Sequence, residues 1–101
     1  MNYEDALTAL ADPMRRRLLG RLRRRPHDVG ELTRHARISQ PAVSQHLRVL
    51  RRAGLVRRRA LGTRRLYEPD LAGLAAVRAY LDDMWTDVLK AYADSFERGR
   101  K

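Results

Sequence analysis

The sequence lacks cysteine, long apolar runs and, through most of its length, acidic residues. Without cysteine, disulfide bonds and thiolate metal sites are excluded. The longest apolar runs are only a few residues, so no transmembrane helix is expected. Residues 1–5 have neither the basic start nor the apolar core of a signal peptide. These absences predict a soluble, cytoplasmic protein, and 101 residues make one domain.

Acids are scarce over residues 13–67. That segment has 17 arginines against Asp28 and Glu31 alone, a balance of +15, whereas residues 68–97 have seven acids against two basic residues, a balance of −5. An arginine-rich proteome would raise the total, but it would not place the charge in one half. The pattern predicts a surface that binds a polyanion, and a separate acidic segment held away from it.

The residues of an active site are also missing. His27 and Asp28 are neighbours, but no serine is placed to complete a nucleophile–base–acid group. No glycine-rich phosphate loop is present. We therefore expect a protein that is not an enzyme and needs no cofactor.

The stretch Ile38–Gly54 predicts a helix with two different faces. Ser39 can accept from the free N–H groups of the first turn, and the apolar stripe consists of Val43, Leu47 and Leu50. Such a helix can donate to base edges and phosphates, which predicts DNA recognition. Its opposite face contains no acid: Gln40, Ser44, Gln45, Arg48, Arg51 and Arg52.

Two helices are predicted near the N-terminus. Residues 3–11 form the first, because Tyr3, Leu7 and Leu10 recur at i, i+4 and i+7. The second runs from an Asp-Pro start at residues 12–13 to about residue 24. Its buried face is Met14, Leu18, Leu19 and Leu22. Most of its arginines are expected on a solvated face.

A third, short helix is predicted directly before the recognition helix. Asp28 and Glu31 have the spacing of a capping box, which opens a helix over residues 29–36. Arg37 and Ile38 then form a tight link. A short helix, a brief turn and a second helix with a polar outer face are typical of a helix-turn-helix.

After Gly54 the apolar period changes from 3.6 to 2. Residues 55–60 and 64–68 flank Leu61-Gly62-Thr63, which predicts a β-hairpin. A hairpin in this position is a wing, whose tip can reach phosphates or the minor groove. Its expected DNA contacts are Arg58, Thr63, Arg64 and Arg65.

The last helix, about residues 70–97, has an apolar stripe of more than 20 residues, too long for a small core to cover. We expect it to pair with a second copy, with the N-terminal helix alongside. A small-molecule pocket at Trp85 and Tyr92 is the alternative. The element order is α-α-α-α-β-β-α, a mainly α winged helix-turn-helix. The predicted dimer interface is Tyr3, Leu7, Leu10, Leu81, Met84, Trp85, Val88, Leu89 and Tyr92.

Several segments can be compared with known regulators: Ala9-Leu10-Ala11-Asp12-Pro13 with Arg15-Arg16-Arg17, Val29-Gly30-Glu31-Leu32, Ser39 to Leu47, Leu50, Ala53-Gly54-Leu55-Val56, and Gly62 to Tyr67. Together they resemble the ArsR-type winged helix-turn-helix regulators, over about residues 5–92. The resemblance implies a homodimeric transcriptional repressor that binds a palindromic operator and dimerises through its first and last helices.

The chain departs from this family at the metal sites. Metal-sensing members have a cysteine pair aligned here with Asp28 and Gly30, and others use Asp and His between their last helices. This chain has no cysteine, and its three histidines (His27, His35 and His46) precede the last helix. We expect no metal site, although Asp82, Asp83 and Asp87 leave a non-thiolate site at the dimer interface open.

The residues therefore predict a dimer whose two recognition helices lie about one DNA turn, ~34 Å, apart. His46 lies between the two faces of its helix; it is either a satisfied, half-buried residue or a base or phosphate contact. Two other functions stay open. One is a sequence-neutral nucleoid- or RNA-binding protein, against which the glutamines and serines of the recognition helix argue. The other is a protein-interaction module whose last helix docks a different partner.

Overall fold

The computed structural model describes residues 3–99 and has the predicted order of elements. The helix-turn-helix and the hairpin follow one another as expected. The second helix ends two residues earlier than predicted, and the first strand begins and ends one residue later. The elements are α1 (Tyr3–Leu10), α2 (Pro13–Leu22), α3 (Val29–Ala36), α4 (Gln40–Arg52), β1 (Val56–Leu61), β2 (Arg64–Pro69) and α5 (Leu71–Arg98).

The predicted N-caps are present. The Asp12 carboxylate accepts from the backbone N–H groups of Met14 at 2.8 Å and Arg15 at 3.1 Å, which starts α2. The Ser39 hydroxyl accepts from the backbone N–H of Ala42 at 3.2 Å, which starts α4. In each helix the cap satisfies donors that the first turn leaves without a partner.

The end of α4 is closed by a Schellman motif. Gly54 has φ +78°, and its N–H donates to the Arg51 carbonyl at 3.0 Å. The N–H of Leu55 donates to the Leu50 carbonyl, also at 3.0 Å, and both leucines are fully buried. These two bonds and the buried leucine pair define the motif. They fix the direction in which the chain leaves the recognition helix.

The first turn of α5 lies directly on this motif. The Asp70 N–H donates to the Leu55 carbonyl at 2.9 Å. A Cβ atom added to Gly73 would lie 1.7 Å from the Gly54 carbonyl oxygen. Only glycine permits this approach of two backbones. The end of the recognition helix and the start of the last helix are therefore in direct backbone contact.

The core is formed mainly by α1 to α4 and the base of the hairpin. From α5, only Gly73 and Val77 are buried. The large side chains that are fully buried are Leu22, Leu32, Val43, Leu47, Leu50, Leu55 and Val56. The predicted buried faces of α2 and α4 are confirmed, except that Met14 is only partly buried. This core holds α3, α4 and the wing as one body.

The hairpin has an antiparallel register from Val56 opposite Pro69 to Leu61 opposite Arg64. A two-residue loop joins the strands, with Gly62 at φ +62°. One further residue, His27, pairs with the second strand as an isolated β-bridge. The His27 N–H donates to the Tyr67 carbonyl at 3.1 Å, and the Tyr67 N–H donates to the His27 carbonyl at 2.8 Å. This bridge ties the segment before α3 to the wing.

His27 is buried beneath this bridge, with 5% of its surface exposed. Its Nδ1 lies 2.7 Å from the Arg25 carbonyl oxygen. Because a carbonyl can only accept, Nδ1 carries the hydrogen. His27 therefore has a structural role: its backbone pairs with the hairpin and its buried ring is hydrogen-bonded.

Two arginines of α2 close the end of α1. Arg15 Nε donates to the Ala9 carbonyl at 2.7 Å, and Arg16 Nη1 donates to the Leu10 carbonyl at 2.7 Å. Cations at a helix C-terminus satisfy its last carbonyls and complement its dipole. Arg15 is half-buried by this contact, whereas Arg16 stays exposed like most of the other arginines of the helix, as expected.

The second half of α5 extends away from the body. All residues from 81 to 99 are exposed, and the molecule measures 68 × 25 × 21 Å. Along this half, the apolar side chains between Leu81 and Phe96 lie on the surface. Within residues 3–99, no helix is both long and apolar enough to span a membrane.

Candidate nucleic-acid interface

The outer face of α4 is open to solvent as predicted. Its buried side, formed by Val43, Leu47 and Leu50, is completely covered by the core. Gln40, Gln45, Arg48, Arg51 and Arg52 are exposed, whereas Ser44 is half-buried. The Ser39 hydroxyl is already used as the N-cap. The residues available for base edges are thus concentrated on one accessible strip.

Gln45 and Arg48 are oriented by each other. Arg48 Nη1 donates to Gln45 Oε1 at 3.1 Å, one helical turn apart. The amide NH₂ of Gln45 and the remaining guanidinium N–H groups are left to donate outward. An arginine fork can donate to N7 and O6 of guanine, whereas a glutamine amide can donate to N7 of adenine and accept from its N6 amino group through the second lone pair of Oε1.

His46 lies against α2. Its Nδ1 is 3.5 Å from Arg15 Nη1, and since arginine only donates, Nδ1 accepts. The side chain is half-buried. This geometry favours the satisfied, half-buried histidine over a base contact. A DNA contact by His46 stays a prediction.

The wing has two kinds of arginine. Arg57 and Arg59 both donate to Glu68 Oε1, at 3.0 and 3.2 Å. Arg58 and Arg65 are exposed, and within residues 3–99 neither has an ion-pair partner. The pairs hold one face of the hairpin together. The unpaired cations are the ones available to an external anion.

Arg64 joins the wing to α3. Its Nε donates to Asp28 Oδ2 at 3.0 Å, and its Nη2 donates to Glu31 Oε1 at 2.6 Å. Arg25 Nη1 binds the other Glu31 oxygen at 2.9 Å. We predicted Arg64 as a phosphate contact; here its guanidinium is held by two carboxylates, which it would have to leave to reach phosphate.

The same two carboxylates form the capping box of α3, as predicted. Asp28 Oδ1 accepts from the Glu31 N–H at 2.8 Å, and Glu31 Oε1 accepts from the Asp28 N–H at 3.2 Å. The Glu31 N–H is the main cause that lowers the pKa of Asp28, with Arg64 adding to it. The Asp28 N–H, followed by Arg25, lowers the pKa of Glu31.

These shifts predict loss of stability in acid. The folded pKa values of Asp28 and Glu31 lie below their ordinary values of 3.8 and 4.5, so both groups stabilise the fold above that range. The stabilisation is lost as pH falls through the lowered values. We expect the urea midpoint to fall between about pH 6 and pH 3.

The control for this prediction is Asp28→Asn, because asparagine can still cap a helix but does not titrate. Its urea midpoint should depend less on pH than that of the parent chain. Identical pH profiles for the two proteins would contradict the assignment to Asp28.

The two acids of the basic segment are therefore both occupied inside the fold. Neither balances the arginines that α4 and the wing present to solvent: Arg51, Arg52, Arg58 and Arg65. A surface of one sign beside exposed amide donors is suited to a polyanion with readable edges.

The predicted dimer residues fall into two groups. Leu7 and Leu10 pack partly on the core, and Tyr3 stacks on Tyr80 of the same chain with ring centroids 4.4 Å apart. Sequence reasoning missed Tyr80, which lies off the apolar stripe. The α5 residues, in contrast, are exposed, with Trp85 at 64% and Val88 at 59%.

No group of three or more His, Cys, Asp or Glu residues that could hold a metal ion is present in the described part of the chain.

Comparison with known proteins gives consistent results. The family described as "Bacterial regulatory protein, arsR family" matches residues 12–58. The HTH-type transcriptional regulator Rv2034 of Mycobacterium tuberculosis is 53% identical over 90 residues, 89% of this chain and 84% of that protein. The transcriptional repressor SdpR of Bacillus subtilis is 35% identical over 52 residues, 52% of this chain and 58% of that protein.

The fold has solved counterparts. One is the homodimeric winged helix-turn-helix DNA-binding domain of Mb0332 from Mycobacterium bovis, described as a possible ArsR-family regulator. It aligns with a TM-score of 0.65 and 28% identity over 79% of this chain and 77% of that one. The identity to the first relative and the coverage of both chains identify the protein: it belongs to the ArsR family of transcriptional regulators, a class that binds DNA and is not enzymatic.

Proposed function

We propose that this regulator is a homodimeric repressor that binds a palindromic operator in the cytoplasm. The observation that carries the proposal is the exposed, acid-free face of α4 beside a wing with unpaired arginines. Placed in the major groove, Gln40, Ser44, Gln45 and Arg48 read bases. Phosphate or minor-groove contacts come first from Arg51, Arg52, Arg58, Thr63 and Arg65. Ser39, His46 and Arg64 were also predicted to contact DNA, but each has a partner within the chain that it would have to leave or share.

The dimer is formed by the exposed part of α5. Leu81, Met84, Trp85, Val88, Leu89 and Tyr92 lie on one side of the helix and are each about half exposed or more. A contiguous apolar stripe of this kind marks a protein contact, and a second copy satisfies both stripes at once. Tyr3, Leu7 and Leu10 of α1 flank this contact at its edge. The chain is thus one winged helix-turn-helix domain in which α1 and α5 form the dimer contact, and the dimer is the form that binds DNA.

We propose that the dimer represses transcription by its position on the DNA. A dimer bound across a promoter excludes polymerase, and the similar SdpR is described as a repressor. We propose that the release signal is not a metal, because the chain has no cysteine and its histidines lie outside α5.

The main alternative is a winged helix that binds nucleic acid without sequence preference. Its requirement is positive charge, which this chain has. The mutually oriented Gln45–Arg48 pair favours the specific regulator, because a sequence-neutral binder has no use for amide donors aimed at base edges.

The function is tested by selecting bound DNA from a random pool. We expect a palindrome with half-sites about 10 base pairs, one helical turn, apart. On that operator, Arg48→Ala should cost about 1–3 kcal/mol while binding to scrambled DNA changes little. Arg65→Ala should weaken both DNAs alike and reduce the slope of log affinity against log salt by about one.

The two variants control each other, since each removes one exposed arginine. If the parent protein binds the selected and scrambled DNAs equally at about 150 mM salt, the sequence-neutral alternative replaces the repressor. If Arg65→Ala keeps the full salt slope, the role of the wing is wrong.

A further inference from the structure

A second basic surface lies between α2 and α3, and none of its residues belongs to the proposed DNA interface. It is a groove of about 730 Å³ whose lining includes Arg17, Arg21, Arg24 and Arg37 and contains no acid. This volume is within the ordinary range of small-molecule sites, about 300–1,000 Å³. The groove is therefore large enough for an organic ligand.

The floor of the groove is apolar. Met14 and Ala36 are partly exposed along it, above Leu18 and Leu32, which are almost completely buried. An apolar floor offers nothing to a bare phosphate or to a sugar-phosphate backbone. It offers contact area to a hydrocarbon.

The arginines around this floor have no carboxylate to balance them. Within residues 3–99, none of the five arginines of the lining forms an ion pair, whereas Arg25, Arg57, Arg59 and Arg64 all do. Guanidinium groups bind carboxylate and phosphate in a bidentate manner. Several unpaired guanidinium groups around one cavity therefore select an anionic head group.

Arg37 adds an independent observation. It is the one non-glycine residue in the described part of the chain with a positive φ, +58°, at the end of α3. Glycine adopts this conformation without steric cost. A non-glycine residue in this conformation points to a functional constraint, and Arg37 belongs to the lining of the groove.

We propose that the groove between α2 and α3 binds an amphipathic organic anion, of which a fatty carboxylate is the simplest case. The carboxylate binds the arginines at the rim, and the hydrocarbon lies on Met14, Ala36 and the methylene stems of the arginines. The site is separate from α4 and the wing, so it stands independently of the proposed operator binding. Its partner is a small molecule and not a nucleic acid.

The test is calorimetric titration of the full chain with decanoate, acetate, inorganic phosphate and 1-decanol. We expect one decanoate per protomer, with acetate, phosphate and decanol each binding about tenfold or more weakly. Acetate and phosphate lack the tail, and decanol lacks the charge. If phosphate binds as tightly as decanoate, the apolar floor has no role and the proposal is wrong.

The groove variant is Arg17→Gln with Arg21→Gln, and the matched control is Arg58→Gln with Arg65→Gln, which removes the same charge from the wing. Both pairs are exposed, so circular dichroism should show unchanged folding. The groove variant should lose decanoate affinity about tenfold or more while binding DNA within about threefold of the parent. The wing variant should show the reverse.

Two results would overturn the proposal. One is equal decanoate binding by the groove variant and the parent, which would place the ligand elsewhere. The other is a groove variant that loses DNA affinity as strongly as the wing variant does, which would make the groove a contact for the DNA backbone. A wing variant with undiminished DNA binding would count against the proposed function alone.

Discussion

Replacement of Gly73 by alanine is expected to lower the free energy of unfolding by about 3 kcal/mol or more. The new Cβ would lie 1.7 Å from the carbonyl oxygen of Gly54, 2.4 Å from its carbonyl carbon and 3.2 Å from the Leu55 nitrogen. These are backbone atoms fixed by the Schellman motif, so they cannot move aside as a flexible side chain does. Urea denaturation at a fixed protein concentration measures the loss.

Gly20→Ala is the matched control, because Gly20 also lies within a helix. Its added Cβ would meet only the end of the Arg23 side chain, at 3.8 Å. Alanine there should stabilise the chain by about 0.5–1 kcal/mol through its helix propensity. If both substitutions had the same effect, the contact between α5 and the end of α4 would not be the cause.

Val88→Glu is expected to produce a monomer and to reduce operator affinity by about 100-fold or more. Val88 lies in the middle of the exposed α5 stripe, and symmetry would place two carboxylates in one apolar contact. An unpaired buried charge costs several kcal/mol, while 100-fold corresponds to about 2.7 kcal/mol. Sedimentation gives the oligomeric state, and titration of operator DNA gives the affinity.

Lys90→Gln provides the comparison, since it changes the net charge by the same amount on the opposite side of the helix. It should remain dimeric and bind the operator like the parent. A Val88→Glu protein that stays dimeric would show that the stripe does not form the dimer.

Local signals were sufficient to predict the elements of the fold. Asp28 and Glu31 are three residues apart, and the capping box forms as their spacing predicts. Ser39 and the period of Val43, Leu47 and Leu50 defined the start and the buried face of α4. Caps and amphipathic periods act within a few residues, so they can be read from the chain directly.

The contacts that assemble the site could not be predicted in this way. Arg64 binds the carboxylates of Asp28 and Glu31, which lie 36 and 33 positions earlier in the chain. His27 forms an isolated β-bridge with Tyr67. One pair of bridged residues has no period-2 pattern to detect. The scarcity of acids in that segment was the available signal: with only two carboxylates, some arginines had to share them.

Gly73 illustrates a different limit. Nothing in the sequence distinguishes it from Gly20, since both occur in helical segments without a turn. The distinction is the distance to a second backbone, which only the packed structure defines. The same holds for the groove between α2 and α3, whose arginines could equally have been on a solvated face.

The backbone contact between Gly54 and Gly73 leaves no flexible linker between α4, which we propose reads DNA, and α5, which we propose pairs the subunits. In the proposed dimer, each subunit would then rotate about the dimer axis as one rigid body. If each recognition helix lies about 17 Å from that axis, half the ~34 Å spacing, a 5° rotation at the axis moves it by about 1.5 Å. Operators with one base pair more or less between half-sites should therefore be discriminated by mechanical stiffness, in addition to base contacts.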